Sequence, residues 1–468
     1  MLLSRRRLLA AALSLPLLPR RAAATTAAAN FPAGFLWGAS TSAAQIEGAA
    51  SEDGRGPSIW DAFARQPGKI ADGGTPAVAC DHYHRWREDI ALMRRLGLTA
   101  YRFSISWSRV IPAGTGAANA KGWDFYDRLV DGLLATGITP MPCLFHWDLP
   151  LALHERGGWM SRDSAGWFAD YAVAAARRLG DRVPYWLMLN EPSVMAIFGY
   201  GLAAHAPGLG GGAPACLAAL HHQNLAQGTA LKALRAERPA AKLGTVLSLQ
   251  PVVADSARAA DGAAAIRWDA VWNRVALDGV MRGAIPGILV PEMAKLVRPD
   301  DLAIIRQPLD LLGVNYYSKM TVRAQPGALF DTGWGRPRAA RFTAMGWPVQ
   351  PEGLLDILME LKALYGNPPV MITENGAAYD DRLGPDGEVA DPTRIAFLGD
   401  HLRALRRALA AGCNVRGYLV WSLMDNFEWQ AGYTRRFGLA YVDYASERRI
   451  PKASFHWYGA VMRGERPI

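Results

Sequence analysis

Two short apolar runs in this chain each end on a glutamate set beside an asparagine: WLMLNEPS, residues 186–193, and VMITENGAA, residues 370–378. A carboxylate at the end of a buried strand is costly to desolvate, so Glu191 and Glu374 need a compensating role. Two carboxyl groups facing one another across a pocket suit the cleavage of a glycosidic bond. One protonates the leaving oxygen while the other attacks the anomeric carbon, or activates water against it. A single glutamate at a strand end reads more simply as a salt-bridge partner. Two, in a chain whose other apolar runs end on amides, aromatics, a histidine and an arginine, favour the chemical reading.

The elements that must bring these groups together repeat along the chain. Apolar strand candidates occur at 35–40, 100–107, 139–147, 184–190, 242–250, 309–317, 368–375 and 416–423, with helical stretches such as DHYHRWREDIALMRRLG (81–97) between them. Continuous apolar runs suit parallel strands covered on both faces, and glycine closes the helical stretch. Strand and helix alternating eight times predict an α/β fold, a (β/α)₈ TIM barrel, and such a barrel remains one domain even beyond roughly 400 residues. No Gly/Ser-rich linker divides the 468 residues, so residues 30–468 read as a single catalytic domain. Barrel active sites lie at the C-terminal ends of the strands. That rule collects Arg102 and Trp107, His146 and Trp147, Asn190 and Glu191, Asn315 and Tyr317, Glu374 and Asn375, and Trp421 at one mouth. Tryptophan faces suit the apolar faces of sugar rings, and amides suit hydroxyls.

These residues stand in motifs that resemble glycoside hydrolase family 1, the retaining β-glucosidases. The motifs are FLWGASTSAAQIEGA (35–49), YRFSISWSRVIP (101–112), HWDLP (146–150), LNEP (189–192), HAPG (205–208), GVNYYS (313–318), GWPVQPEGL (346–354), ITENG (372–376) and WSLMDNFEWQAGYTRRFGL (421–439). The resemblance spans almost the whole chain after residue 30. It implies that Glu374 is the nucleophile and Glu191 the acid/base, supported by Arg102, Asn190, Asn315 and Tyr317. It also implies that Gln45, His146, Trp147, Asn190, Trp421, Glu428, Trp429 and Phe437 bind the sugar, with Trp421 beneath the ring. His146 and Trp421 taken alone read as core residues; their motifs reverse that. Arg102 and Tyr317 favour an ionised Glu374, whereas Glu191 must stay protonated near neutral pH. Pro192 is expected to hold Glu191 in extended geometry, and a retaining mechanism expects the two carboxyls roughly 5 Å apart.

Charge and composition exclude other classes. Residues 1–29 join a basic start, an apolar stretch from Leu8 to Leu18 and Ala-rich cleavage sites, which read as an export signal; Ser4-Arg5-Arg6-Arg7-Leu8-Leu9 resembles the twin-arginine type. Export places the mature protein in the periplasm or outside a bacterial cell. Five arginines and no acidic residue fall in this segment, leaving +4 of the chain's +9. Without a basic block there is no case for a nucleic-acid partner, and no later segment suits a membrane span. Cys80, Cys143, Cys216 and Cys413 form no CxxC pair and read as buried thiols. His82 with His84, and His221 with His222, lack further ligands for a metal, and the expected mechanism needs no cofactor.

The expected substrate is a small-molecule β-glycoside or short oligosaccharide. Glu428 disfavours 6-phosphorylated sugars by charge, so glucose leads, with galactose and fucose close behind. Aglycone contacts are expected from the loop around residues 324–345. The chain departs from the family at Val275, Ala276, Gly279, Ile285 and Gln227, which touches rim and packing but not the two carboxylates. Three alternatives use the same residues: a transglycosylating β-glycosidase, an inverting hydrolase, and a sugar-binding relative without catalysis, the last disfavoured because both glutamates are present.

Overall fold

The computed structural model describes residues 31–468, so the export signal expected at 1–29 lies outside the described residues. Among them, eight parallel strands close into a barrel: β1 (Leu36–Ser40), β2 (Ala100–Ser104), β3 (Thr139–Phe145), β4 (Tyr185–Asn190), β5 (Lys242–Ser248), β6 (Leu311–Asn315), β7 (Val370–Asn375) and β8 (Val415–Trp421). Each strand pairs with its sequence neighbours, and β8 returns to β1. Both faces of these strands are covered, which is why the runs are apolar throughout instead of alternating. Met141, Leu187, Val246, Leu311, Met371 and Leu419 fill the barrel interior, one from each of six strands. This plug forms a firm base beneath the C-terminal mouth.

The helix His82–Leu96 shows how an expected element forms. Tyr83, Trp86, Ile90 and Met93 recur at helical spacing on its buried face, and Gly97, at φ 90°, receives the chain in the left-handed conformation that ends it. The expected strands overrun the observed ones mainly at the C-terminal ends: Trp107, His146, Trp147 and Tyr317 all lie beyond the ladders. There the chain stops pairing and turns into the loops that build the site.

Two further sheets carry no clear periodic signal in the sequence. Val252–Ala254, Met320–Ala324 and Thr332–Trp334 form a three-stranded sheet above β5 and β6, and Ala440–Asp443 pairs with Arg448–Pro451. All four cysteines are buried free thiols. Among the described residues no helix is long and apolar enough to cross a membrane.

Candidate active site

Strand ends from four parts of the barrel join one hydrogen-bond network. Glu374, near the end of β7, pairs through Oε1 with the Arg102 guanidinium of β2 and accepts the Tyr317 hydroxyl at 2.7 Å through Oε2. The other arm of Arg102 donates to Asn190 Oδ1 at 2.6 Å. The Asn315 amide, at the end of β6, donates to Asn190 Oδ1 at 3.0 Å and to Glu191 Oε1 at 2.9 Å, while Thr373 holds its carbonyl oxygen at 2.7 Å. Asn190 Nδ2 donates in turn to His146 Nε2 at 3.0 Å. Arg102, Asn190 and Asn315 thus stand behind the pocket as supports, whereas Glu191 and Glu374 face it together.

The supports divide the two carboxyls electrostatically. Burial, reinforced by the negative charge of Glu374, pushes the Glu191 carboxyl above the ordinary range, and only the Asn315 amide, Arg102 and Ser248 pull it back. Burial raises Glu374 as well, so Arg102 and Tyr317 do not bring it below a free carboxyl. They do give it a cation in direct contact, which Glu191 lacks among the described residues. Glu374 therefore ionises first, and its charge keeps the proton on Glu191.

Backbone geometry aims these groups. The ladders shift register between Leu187 and Asn190 and between Ile372 and Glu374, so both strands are irregular where they deliver their glutamates. Glu191 is not extended, as Pro192 led us to expect: it is left-handed, at φ 47° and ψ 61°. Its N–H still bonds Val246 O of β5 at 2.9 Å while Pro192 begins the next helical turn, so the chain must reverse within one residue. For a non-glycine residue this conformation costs on the order of 1–2 kcal/mol. Trp147 (φ 75°) and Trp429 (φ 50°), which also line the cavity, are left-handed too. At Gly376, in the ITENG motif, a Cβ would stand 1.8 Å from Trp421 O, so only glycine lets the two segments approach.

A cavity of about 510 Å³ opens over Glu191 and Glu374, and His146, Trp147, Trp421, Glu428, Trp429 and Phe437 line it. Burial holds the His146 imidazole well below its usual range, hence neutral. Because Nε2 accepts from Asn190, the ring proton sits on Nδ1, which has no protein partner among the described residues. Glu428 Oε2 is also unpartnered, and burial followed by the charges of Glu374 and Glu191 raises its carboxyl to about 8. A buried ring N–H and a buried carboxyl oxygen thus stand unpartnered in residues that line the cavity, as suits a polyhydroxylated ligand. Gln45 donates to Asn426 Oδ1 at 3.0 Å and Phe427 O at 2.9 Å and accepts from Ser42, bracing the segment that carries Glu428. Trp60 packs 4.6 Å from Trp429, a second brace.

The outer cavity is built by residues the sequence analysis did not single out. Val194, Phe198, His205, Gln250, Trp272 and Met320 join Trp334, Gly335, Pro337 and Met345 of the expected 324–345 loop. Trp334 is 50% exposed, so its ring is open to a ligand. Their only sequence signal is that of surface loops beside a barrel mouth, shared by many loops that bind nothing. The departures at Val275, Ala276 and Gly279 lie packed in the helix Val275–Arg282, and Gln227 bonds Asn224 and Thr245 inside the fold, so none lines the cavity. A larger hollow of about 1030 Å³ lies at the opposite end of the barrel, bordered by Arg403, Arg406, Arg407 and Arg416, with no carboxylate on its wall.

A sequence profile of glycosyl hydrolase family 1 matches residues 27–466. The chain is 48% identical over 452 residues to the thermostable beta-glucosidase B of Thermobispora bispora, covering 94% of this chain and 93% of the relative. It is 46% identical over 455 residues to the bifunctional beta-D-glucosidase/beta-D-fucosidase of Bifidobacterium breve, covering 92% and 97%. Among solved structures, the beta-glucosidase of Thermotoga maritima in complex with glucoimidazole superposes with a TM-score of 0.89 at 42% identity, covering 93% of this chain and 99% of that one.

Proposed function

This chain belongs to glycosyl hydrolase family 1, and from that premise and the pocket's geometry we propose the residue roles and substrate of its reaction. It is a retaining β-glucosidase acting on a small-molecule β-glycoside. A Glu374 carboxylate oxygen attacks the anomeric carbon as the bond to the aglycone oxygen breaks, and the Glu191 proton passes to that oxygen. Water then attacks the same carbon, gives its proton to Glu191, and the glycosyl–Glu374 bond breaks. The single observation that carries these roles is the split between the two carboxyls: Glu374 is ion-paired with Arg102 and accepts the Tyr317 hydroxyl, whereas Glu191 has no ion pair among the described residues and accepts from the neutral Asn315 amide. A retaining reaction expects the two carboxyls about 5 Å apart, against roughly 6.5–9.5 Å in inverting enzymes.

Glucose leads as the sugar, and a β-fucoside follows, supported by the Bifidobacterium relative named for both activities. With its carboxyl raised to about 8, Glu428 is largely neutral in the free site at neutral pH, so exclusion of a phosphorylated sugar rests less on its charge than expected. It rests instead on the lack of a free cation: Lys319, the cation lining the cavity among the described residues, is paired with Asp356. The test is hydrolysis of aryl β-glycosides by wild type and Glu374→Ala, with proton NMR of the first-formed sugar. A glucoside that releases the β-anomer, and a variant slowed about 10⁵-fold or more, is the expected result. An α-anomer, or a variant that retains its rate, overturns the assigned roles.

A further inference from the structure

The two segments that follow the adjacent strands β7 and β8 to the pocket share a buried ion cluster that the reaction itself does not use. Residues 376–391 continue from β7 and Glu374; residues 422–440 continue from β8 and carry Glu428, Trp429 and Phe437. Near the base of each stands an aspartate, Asp381 in the first and Asp425 in the second, at 3% and 0% side-chain exposure. Two carboxylates this deeply buried in neighbouring segments repel each other and drive those segments apart unless a cation stands between them.

Lys452 is that cation. Its ammonium is fully buried and donates to Asp381 Oδ2 and, at 2.7 Å, to Asp425 Oδ1. Asp425 also accepts Gly438 N–H at 2.9 Å and Arg436 at 2.7 Å, which ties the outgoing leg of the sugar-binding segment to its return leg. Asp381 shares Arg394 with Asp391, and Arg394 donates to Arg436 O at 2.7 Å. Three aspartates thus face two arginines and one lysine, and the cluster is neutral only with Lys452 charged. The main chain follows the same path: Lys452 N–H bonds Leu439 O at 2.9 Å, and Ala453 N–H bonds Val389 O at 2.9 Å.

We propose that Lys452 is a positioning residue for the sugar: by clamping Asp381 to Asp425 it sets the distance between the wall that reacts, through Glu374, and the wall that binds hydroxyls, through Glu428. This rests on the reading of the pocket as a β-glucosidase site. Burial and then the charge of Arg394 lower the Lys452 ammonium from its usual value, and Asp425 and Asp381 counter that pull.

The experiment is a comparison of kcat/KM for an aryl β-glucoside and its monodeoxy analogues in wild type, Glu428→Gln and Lys452→Met. The hydroxyls Glu428 holds are those whose removal slows wild type but not Glu428→Gln. At those hydroxyls alone, Lys452→Met is expected to lose about tenfold of the wild-type discrimination, keeping it at the others. A residue that merely stabilised the fold would lower the amount of active enzyme and leave every ratio unchanged, and that result overturns the proposal. If Lys452→Met does not fold, Lys452→Met/Asp381→Asn, which removes one charge of each sign, takes its place with the same expected loss and the same overturning result. Wild type inactive on all the glycosides overturns the β-glucosidase reading and this inference together. Wild type active with unchanged ratios in the variant overturns this inference alone.

Discussion

The floor of the pocket and its rim differ in what holds them. Floor residues come from strand ends: Arg102, Asn190, Asn315 and Glu374 belong to the barrel ladders, and each is fixed by at least one charged or amide partner. Rim residues such as Phe198, Trp272 and Trp334 come from the segments between strands and meet the cavity through rings and backbone. Rim side chains can change without disturbing a hydrogen-bond network, whereas a floor side chain cannot change without leaving a buried partner unsatisfied. The floor therefore tolerates less change than the rim.

The sharpest break in that comparison is Glu191→Gln. Loss of the proton donor is expected to lower kcat about 10³-fold for a substrate with an unactivated leaving alcohol and far less for an activated aryl group. Because the Glu191 carboxyl is raised, the alkaline limb of kcat/KM in wild type lies above the ordinary carboxyl range, and a pH profile of the variant on the activated substrate should lack it.

A smaller effect concerns stability. The Glu428 carboxyl is raised to about 8 when folded, so the cost linked to its ionisation is absent below the unfolded value and grows progressively as pH rises toward 8. Glu428→Gln is expected to melt higher than wild type at pH 8, by on the order of 1–3 kcal/mol, with the gain fading toward pH 4, while it hydrolyses glucosides more slowly. Melting curves across that range check the sign; a variant less stable than wild type at pH 8 would place the cost elsewhere.

The mildest effect belongs to the rim. Trp334→Ala should raise KM for an aryl glucoside about threefold to tenfold, the worth of one aromatic contact, and leave the rate of sugar release from Glu374 unchanged. Burst kinetics separate the two steps, and a slowed second step would show that the rim reaches into the floor.

These differences follow what was legible in the chain. Each barrel strand was readable because strands buried on both faces need continuous apolar runs, and the site residues at their ends could be collected by one geometric rule. The two small outer sheets were not readable, because short half-exposed strands such as Val252–Ala254 have no periodicity to detect. Gln45 shows the limit of a motif: its residue type suits hydroxyl binding, but the bonds by which its amide braces Asn426 and Phe427 are set by the fold. Glu191 shows the limit of a local rule, since Pro192 alone argues for extended backbone while the bond to Val246 O and the following helical turn require a left-handed one.

The sequence by itself determined the barrel, the pair of glutamates and the arginine and tyrosine that accompany them, because those depend on hydrophobic patterning and on residue type at strand ends. Only the tertiary structure decided that burial raises both carboxyls despite Arg102 and Tyr317, which nitrogen of His146 carries the proton, and that Lys452 joins Asp381 to Asp425. Those outcomes depend on contacts between residues as far as 272 positions apart, and the desolvation that governs them exists only once the chain has closed around them.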